Sequence, residues 1–259
     1  MTILDKLAQH AFERVKTAEK NISPDKIKSL AYSLPKEDFE FEKALLKKDI
    51  SFICECKKAS PSKGIIAEDY PFAEIAKEYE NAGADCISIL TEPEWFLGSD
   101  DHLKEIAETV KIPCLRKDFT VTDYQIYQAK LLGAKAVLLI CSILSAEQIN
   151  EYIRICDSLG ISALVEAHDE NEIRLAVNSG ARIIGVNNRN LKDFSVDTDN
   201  SRRMRELVPK NIIFVSESGV QTADDVQKLR SIGADAVLIG ETLMRAQNKK
   251  AKLSELRSL

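Results

Sequence analysis

Short apolar runs alternate along this chain with longer stretches in which apolar residues recur at three- and four-residue spacing. The runs at 50–57, 86–91, 112–117, 136–141, 161–167, 182–187, 211–217 and 236–239 are bounded by Gly, Pro or small polar residues. That pattern predicts strands buried on both faces, as parallel strands are when helices cover the sheet, and the stretches between them predict helices. Four of the helical stretches end in Gly-Ala directly before a strand: Gly83-Ala84, Gly133-Ala134, Gly180-Ala181 and Gly233-Ala234. Glycine suits the left-handed position just past a helix end. Successive alanines of these pairs are 50, 47 and 53 residues apart, room for two strand–helix units each, so the repeat sets the architecture before any single residue is considered. Pro71, Ser145, Asp169, Asp199 and Thr222 fall at or near the helix starts, where proline and short capping side chains belong.

These observations predict an α/β fold: a single (β/α)8 TIM barrel over residues 46–259, with an N-terminal helical extension over 1–45. Its 259 residues are close to the roughly 250 such a barrel requires. In the extension, Ile3, Leu4, Leu7, Ala11, Phe12 and Val15 lie at helical spacing with Asp5, Glu13 and Glu19 between them. This is an amphipathic helix; it lacks the continuous apolar core of a signal peptide, and no run is long enough to span a membrane.

Composition narrows the partners. A net charge of −5, with no basic cluster interleaved with aromatics, argues against a nucleic-acid surface but leaves room for a local cationic pocket. Cys54, Cys56, Cys86, Cys114, Cys141 and Cys156 mostly sit inside apolar runs, where free cysteine behaves as a small hydrophobe. Cys54-x-Cys56 has no second pair and no histidine at ligand spacing, so no metal site is expected, and a reducing cytoplasm fits best.

In such a barrel the working residues come from the C-terminal ends of the strands, and strand alternation decides which of them face inward. The first strand ends in Glu55 and Lys57, which share the inward face while Cys54 and Cys56 pack beneath helices; a merely solvated charge pair is the alternative. The Ser60-Pro61-Ser62-Lys63-Gly64 stretch reads equally as a mobile lid or an ordinary turn. Leu115, Lys117 and Phe119 share a face at the third strand, making Lys117 a candidate acid with a lowered pKa, or simply the partner of an ion pair. The fifth strand puts Glu166 inward; His168 follows on that face, where a satisfied hydrogen-bonding role is the more economical reading. Asn187, Asn188 and Arg189 follow the sixth strand and suit a carboxylate or phosphate, or else rim the loop. Glu217-Ser218-Gly219 and Gly240-Glu241 close the seventh and eighth strands, where glycines let backbone amides approach an anion.

Together, Glu55-x-Lys57-x-x-Ser60-Pro61-Ser62-x-Gly64, Leu90-Thr91-Glu92, Phe96-x-Gly98-Ser99, Arg116-Lys117-Asp118-Phe119, Asn187-Asn188-Arg189-x-Leu191, Ser216-Glu217-Ser218-Gly219 and Gly240-Glu241 closely resemble the indole-3-glycerol phosphate synthase family, in order, from about residue 50 to 245. The extension resembles that family's, whose extra segment helps cover the substrate. The resemblance implies ring closure of 1-(2-carboxyphenylamino)-1-deoxyribulose 5-phosphate with loss of carbon dioxide and water, and no cofactor or metal. It implies Lys117 as general acid for cyclisation, Glu166 as the main partner in dehydration, and Lys57 as the cation holding the substrate carboxylate, with the two lysines able to exchange tasks between steps. Glu55 would orient Lys57. Asn187, Arg189, Ser60 and Glu217 would form the polar shell, with Pro61 and Ser62 alongside, and Phe96, Phe119, Leu138 and Leu191 the apolar walls. Ser218, Gly219, Gly240 and Glu241 would hold the phosphate, Glu241 through its backbone amide. The expected partner is one small phosphorylated substrate bound by a monomer. The alternative is a Schiff-base aldolase-type barrel in which Lys117 attacks a sugar-phosphate carbonyl.

Overall fold

A computed structural model describes residues 2–190 and 194–258. Among these, eight parallel strands close into a barrel: β1 (Ser51–Cys56), β2 (Cys86–Leu90), β3 (Cys114–Lys117), β4 (Ala136–Ile140), β5 (Ser162–Ala167), β6 (Ile183–Asn187), β7 (Ile213–Glu217) and β8 (Ala236–Ile239). Each lies inside the run that the apolar pattern marks. Three helices precede β1: α1 (Ile3–Asn21), α2 (Pro24–Ser33) and α3 (Glu40–Leu45). The helices after β1 to β7 are α4 (Phe72–Asn81), α5 (Asp100–Thr109), α6 (Tyr124–Leu131), α7 (Ala146–Leu159), α8 (Glu170–Asn178), α9 (Asp199–Arg205) and α10 (Ala223–Ser231). Two follow β8: the short α11 (Glu241–Met244) and α12 (Lys249–Arg257).

Local chemistry explains the joints. Gly83, Gly133, Gly180 and Gly233 all have positive φ, between 77° and 94°, so each turns the chain from helix to strand in a conformation that a Cβ would strain. Ser145 and Thr222 form capping boxes with Gln148 and Asp225, and Asp169 accepts from the Glu172 amide. Pro71 stands at the N-cap of α4, and Asp199 is the first residue of α9.

The two-residue period of the strands sorts side chains into two apolar layers. Ile53, Leu115, Leu138, Leu164, Val215 and Leu238 point inward and fill the barrel. Phe52, Cys54, Cys56, Ile87, Ile89 and their counterparts point outward and pack beneath the helices. All six cysteines are buried free thiols. Two residues beyond Ile53, Leu115, Leu164 and Val215, at the C-terminal rim, the same face carries Glu55, Lys117, Glu166 and Glu217, while beyond Leu138 and Leu238 it carries Ile140 and Gly240. The chemistry of the rim thus continues the register of the core. Past β1, the polar stretch folds as a small antiparallel hairpin, Ala59–Ser60 against Gly64–Ile65, turned by Gly64 at φ 64°. The Ala59 amide donates to the Phe96 carbonyl at 3.2 Å, tying the hairpin to the loop after β2.

Candidate active site

A cavity of about 850 Å³ opens at the C-terminal rim. It is lined by Glu55, Lys57, Lys117, Glu166, Asn187 and Glu217 from the strand ends, with Ser60, Pro61, Ser62 and Lys63 of the hairpin, Arg189 and Leu138. Phe96 and Phe119 also line it, their ring centroids 6.3 Å apart. The first turns of α1 close one side with Ile3, Leu4 and Leu7. A lining of this kind, apolar walls with a few convergent polar groups, is what a small-molecule site requires.

Two lysines define its polar centre. Lys117 Nζ donates to Glu166 Oε2 at 3.1 Å and lies 3.5 Å from Glu217 Oε2. Lys57 Nζ donates to Glu55 Oε1 at 2.5 Å. Burial works against the Lys117 charge, but Glu166, Glu217 and Glu55 outweigh it and raise its pKa above the ordinary lysine value. The lowered pKa expected from the sequence is therefore corrected: an inward lysine alone would be driven neutral, whereas the acidic side chains reached across the barrel, Glu166 foremost, favour its ammonium form.

The two carboxylates beside Lys117 behave differently. Burial pushes the Glu217 carboxyl up to about 8, helped by the nearby charges of Glu166 and Glu55 and opposed by Lys117. Its Oε1 has no hydrogen-bond partner. Glu166 is buried too, yet Lys117, His168 and Asn187 together hold it well below the usual carboxylate range. The surroundings thus favour the ammonium of Lys117, the ionised form of Glu166 and the protonated form of Glu217. Asn187 explains part of that asymmetry: its Nδ2 donates to Glu166 Oε1 at 3.2 Å, while its Oδ1 accepts from Ser218 Oγ and from the Arg189 amide, each at 3.0 Å.

Beside this cluster, Ser218 and Gly219 both have left-handed backbone, φ 69° and 96°, and line the cavity with Gly240 and Glu241. The Glu241 carboxylate is taken up by Arg245 at 3.1 Å and Lys63 at 3.7 Å. Gly240 has a second reason to be glycine. A Cβ there would fall 2.3 Å from Glu55 Oε1 and 2.9 Å from Lys57 Nζ, so this backbone is packed directly on the charge pair.

Apart from Asn188, every predicted site residue within the described chain lines this one cavity; Leu191 lies outside the described residues. Arg189 lines it as well, although its Nη1 donates to the Phe194 carbonyl at 3.1 Å and so also braces its own loop. Asn188 instead points away, donating to Ser216 Oγ and the Ser218 carbonyl and accepting from Ser201. His168 is satisfied on one side only: Nδ1 lies 2.9 Å from Glu172 Oε2, whereas Nε2, 3.3 Å from Glu166 Oε1, is buried without a hydrogen bond. Burial disfavours its charge, but the two glutamates outweigh that and raise its pKa to about 10. Gly185 is a residue the sequence reading misses. It faces inward between Glu166 and Glu217, and a Cβ on it would meet Glu217 Oε1 at 2.1 Å.

A (β/α)8 barrel with a buried lysine–carboxylate cluster at its rim and glycine-opened loops beside it defines an enzyme of acid–base chemistry acting on an anionic small molecule. The particular family follows from comparison with known proteins: residues 4–256 match the family described as indole-3-glycerol phosphate synthase, and the chain belongs to it. It is 58% identical over 256 residues to the indole-3-glycerol phosphate synthase of Ruminiclostridium cellulolyticum, covering 98% of each chain. It is 48% identical over 269 residues to that of Lachnoclostridium phytofermentans, covering 99% of each, and 51% identical to that of Endomicrobium trichonymphae, covering 98% of this chain and 99% of the relative. Among solved structures, 3-hexulose-6-phosphate synthase from Salmonella typhimurium superposes with a TM-score of 0.66 at 15% identity, covering 80% of this chain and 96% of that one. Thiamine phosphate pyrophosphorylase from Pyrococcus furiosus gives 0.60 at 16%, covering 80% and 93%. At those identities the structures share the fold alone.

Proposed function

We propose that Lys117, Glu166 and Lys57 divide the acid–base work of the family's reaction in this chain. That reaction is a carboxy-lyase step in tryptophan biosynthesis: 1-(2-carboxyphenylamino)-1-deoxyribulose 5-phosphate is cyclised, decarboxylated and dehydrated to indole-3-glycerol phosphate. The observation that carries the assignment is the Lys117 ammonium held between Glu166 and Glu217 in a buried cavity beside Phe96 and Phe119. Ring attack on the substrate carbonyl places negative charge on its oxygen. A buried ammonium stabilises that charge, and since it is a far stronger acid than an alcohol, it transfers its proton to the forming alkoxide.

Lys57, already held by Glu55, is the cation for the substrate carboxylate until carbon dioxide leaves. Glu166, ionised and oriented by Asn187, takes the proton whose removal accompanies departure of the hydroxyl. Glu217, protonated beside Lys117, is the neighbouring proton reserve. The phosphate lies against Ser218, Gly219, Gly240 and the amide of Glu241, at the start of α11. Leu138, Phe96 and Phe119 form the walls for the aromatic ring, and α1 covers it through Leu4 and Leu7.

The charge state speaks against the Schiff-base alternative, because a lysine nucleophile must be neutral and the carboxylates around Lys117 favour its cation. The buried free thiols fit a reducing cytoplasm. No helix among the described residues is long and apolar enough to cross a membrane. Incubation with the anilino-deoxyribulose phosphate tests the reading directly: indole fluorescence appears at a turnover rate typical of enzymes, and its absence from folded protein would overturn it.

A further inference from the structure

The rim residues are backed by a second set of charges that the reaction itself does not use, and these converge on α1. His10 and Arg14 lie four residues apart on that helix, so they share a face one turn apart. Each meets a buried carboxylate from a different strand end. His10 Nδ1 is 3.1 Å from Glu92 Oε1. Arg14 donates two hydrogen bonds to Asp118, at 2.7 Å to Oδ1 and 3.1 Å to Oδ2. The Asp118 side chain is 1% exposed and that of Glu92 is fully buried.

Both carboxylates organise backbone that carries the site. Glu92 accepts the amides of Glu94, Trp95 and Phe96, at 3.0, 2.7 and 3.0 Å, folding the loop that presents the Phe96 ring to the cavity. Asp118 follows Lys117 directly and accepts from the Phe119 amide at 2.8 Å and from Thr91 Oγ1 at 2.8 Å. Arg116, on the other side of Lys117, is fixed by Asp100 at 2.7 Å, by Gln128 at 2.9 Å and by the Gln125 carbonyl at 3.1 Å. Lys117 therefore sits between two residues whose side chains are anchored outside the barrel, and one of those anchors belongs to α1.

We infer that His10 and Arg14 make α1 a positioning element, in which Arg14 acts through Asp118 to fix where the Lys117 ammonium points and His10 acts through Glu92 to fix Phe96. Bidentate guanidinium–carboxylate geometry holds direction as well as distance, which a lysine at residue 14 would not reproduce. The helix then does more than cover bound substrate with Leu4 and Leu7: it sets the geometry of the strand end beneath it. A displacement of the acid by a fraction of an ångström lowers the rate while leaving the loops after β7 and β8, which α1's His10 and Arg14 do not touch, in place.

This inference rests on the assignment of Lys117 as the acid, so the experiment includes Lys117→Ala as a reference. Arg14→Met, Asp118→Asn and the double variant are compared with wild type by single-turnover ring closure and by KM, well below the melting temperature of the least stable protein. Arg14→Met should slow ring closure about tenfold and change KM less than about threefold. The double variant should be no slower than Asp118→Asn alone, because both substitutions break the same link. A purely structural role would lower the melting temperature and leave the single-turnover rate at the wild-type value, and that result overturns the inference, as do losses that multiply in the double variant. Should Asp118→Asn not fold, Arg14→Lys decides: it should recover part of the rate lost in Arg14→Met, and equal loss in both is contrary. A normal rate in Arg14→Met beside an inactive Lys117→Ala sinks the positioning role alone, whereas a normal rate in Lys117→Ala sinks the acid assignment and the inference with it.

Discussion

The Glu217 carboxyl group occupies the space that a side chain at residue 185 would fill: a Cβ on Gly185 would lie 2.1 Å from Glu217 Oε1. The two residues face the barrel interior on adjacent strands, and Glu217 stands level with Asn187, two residues beyond Gly185. Gly185→Ala should therefore swing the carboxyl away from Lys117 rather than open the barrel, since the clash is with the end of a flexible side chain. Expected are a loss of at least about tenfold in kcat and a stability change within the 1–3 kcal/mol usual for overpacking. Steady-state kinetics beside a denaturant melt check both, and a fully active Ala variant would show that the position of Glu217 is unimportant.

A carboxyl pushed up to about 8 from an ordinary 4.5 links stability to pH. The folded chain keeps a proton on Glu217 that the unfolded chain releases, so the folded state binds more protons between those values and stability falls as pH rises through that window. Glu217→Gln removes this contribution. Urea melts of both proteins from pH 5 to 8 should show the variant gaining on wild type as pH rises, and a pH-independent difference would contradict the protonated state. For kcat, wild type should lose activity above about pH 8, and the variant should lack that limb.

At the phosphate wall the two glycines make different predictions. Gly219→Val places a side chain at φ 96° and within 2.7 Å of Thr198 Cγ2, which should raise KM strongly and leave the chemical step less affected. Gly240→Val intrudes on Glu55 and Lys57, so it should lower kcat as well. Inorganic phosphate should raise the melting temperature of wild type, because a ligand bound only by the native state stabilises it, and should not raise that of Gly219→Val. Equal shifts in the two proteins would move the phosphate away from the ends of β7 and β8.

How much of this was legible in the sequence follows from how far each relationship reaches. Strand alternation is local, so the inward set of Glu55, Lys57, Lys117 and Glu166 could be read from the chain, as could the left-handed glycines ahead of β2, β4, β6 and β8. The role of Gly185 depends on which residue of β7 stands beside it, and no local pattern encodes that register. The direction of the Lys117 pKa failed for the same reason: Glu166 and Glu217 are 49 and 100 residues away along the chain but touch it across the barrel. Nothing in the chain around His10 and Arg14 marks their roles, because Glu92 and Asp118 lie 82 and 104 residues on. Asn188 shows the converse limit. It belongs to a motif that resembles the family's, yet its side chain turns outward and braces Ser216 and Ser201.

The central claim is that Lys117 protonates the carbonyl as the ring closes, and single-turnover kinetics of Lys117→Ala with the anilino-deoxyribulose phosphate tests it most directly. Loss of a general acid predicts ring closure slowed by roughly 10²–10⁴ with substrate affinity changed much less. A variant that keeps more than about a tenth of the wild-type rate would contradict the claim and remove Lys117 from that role.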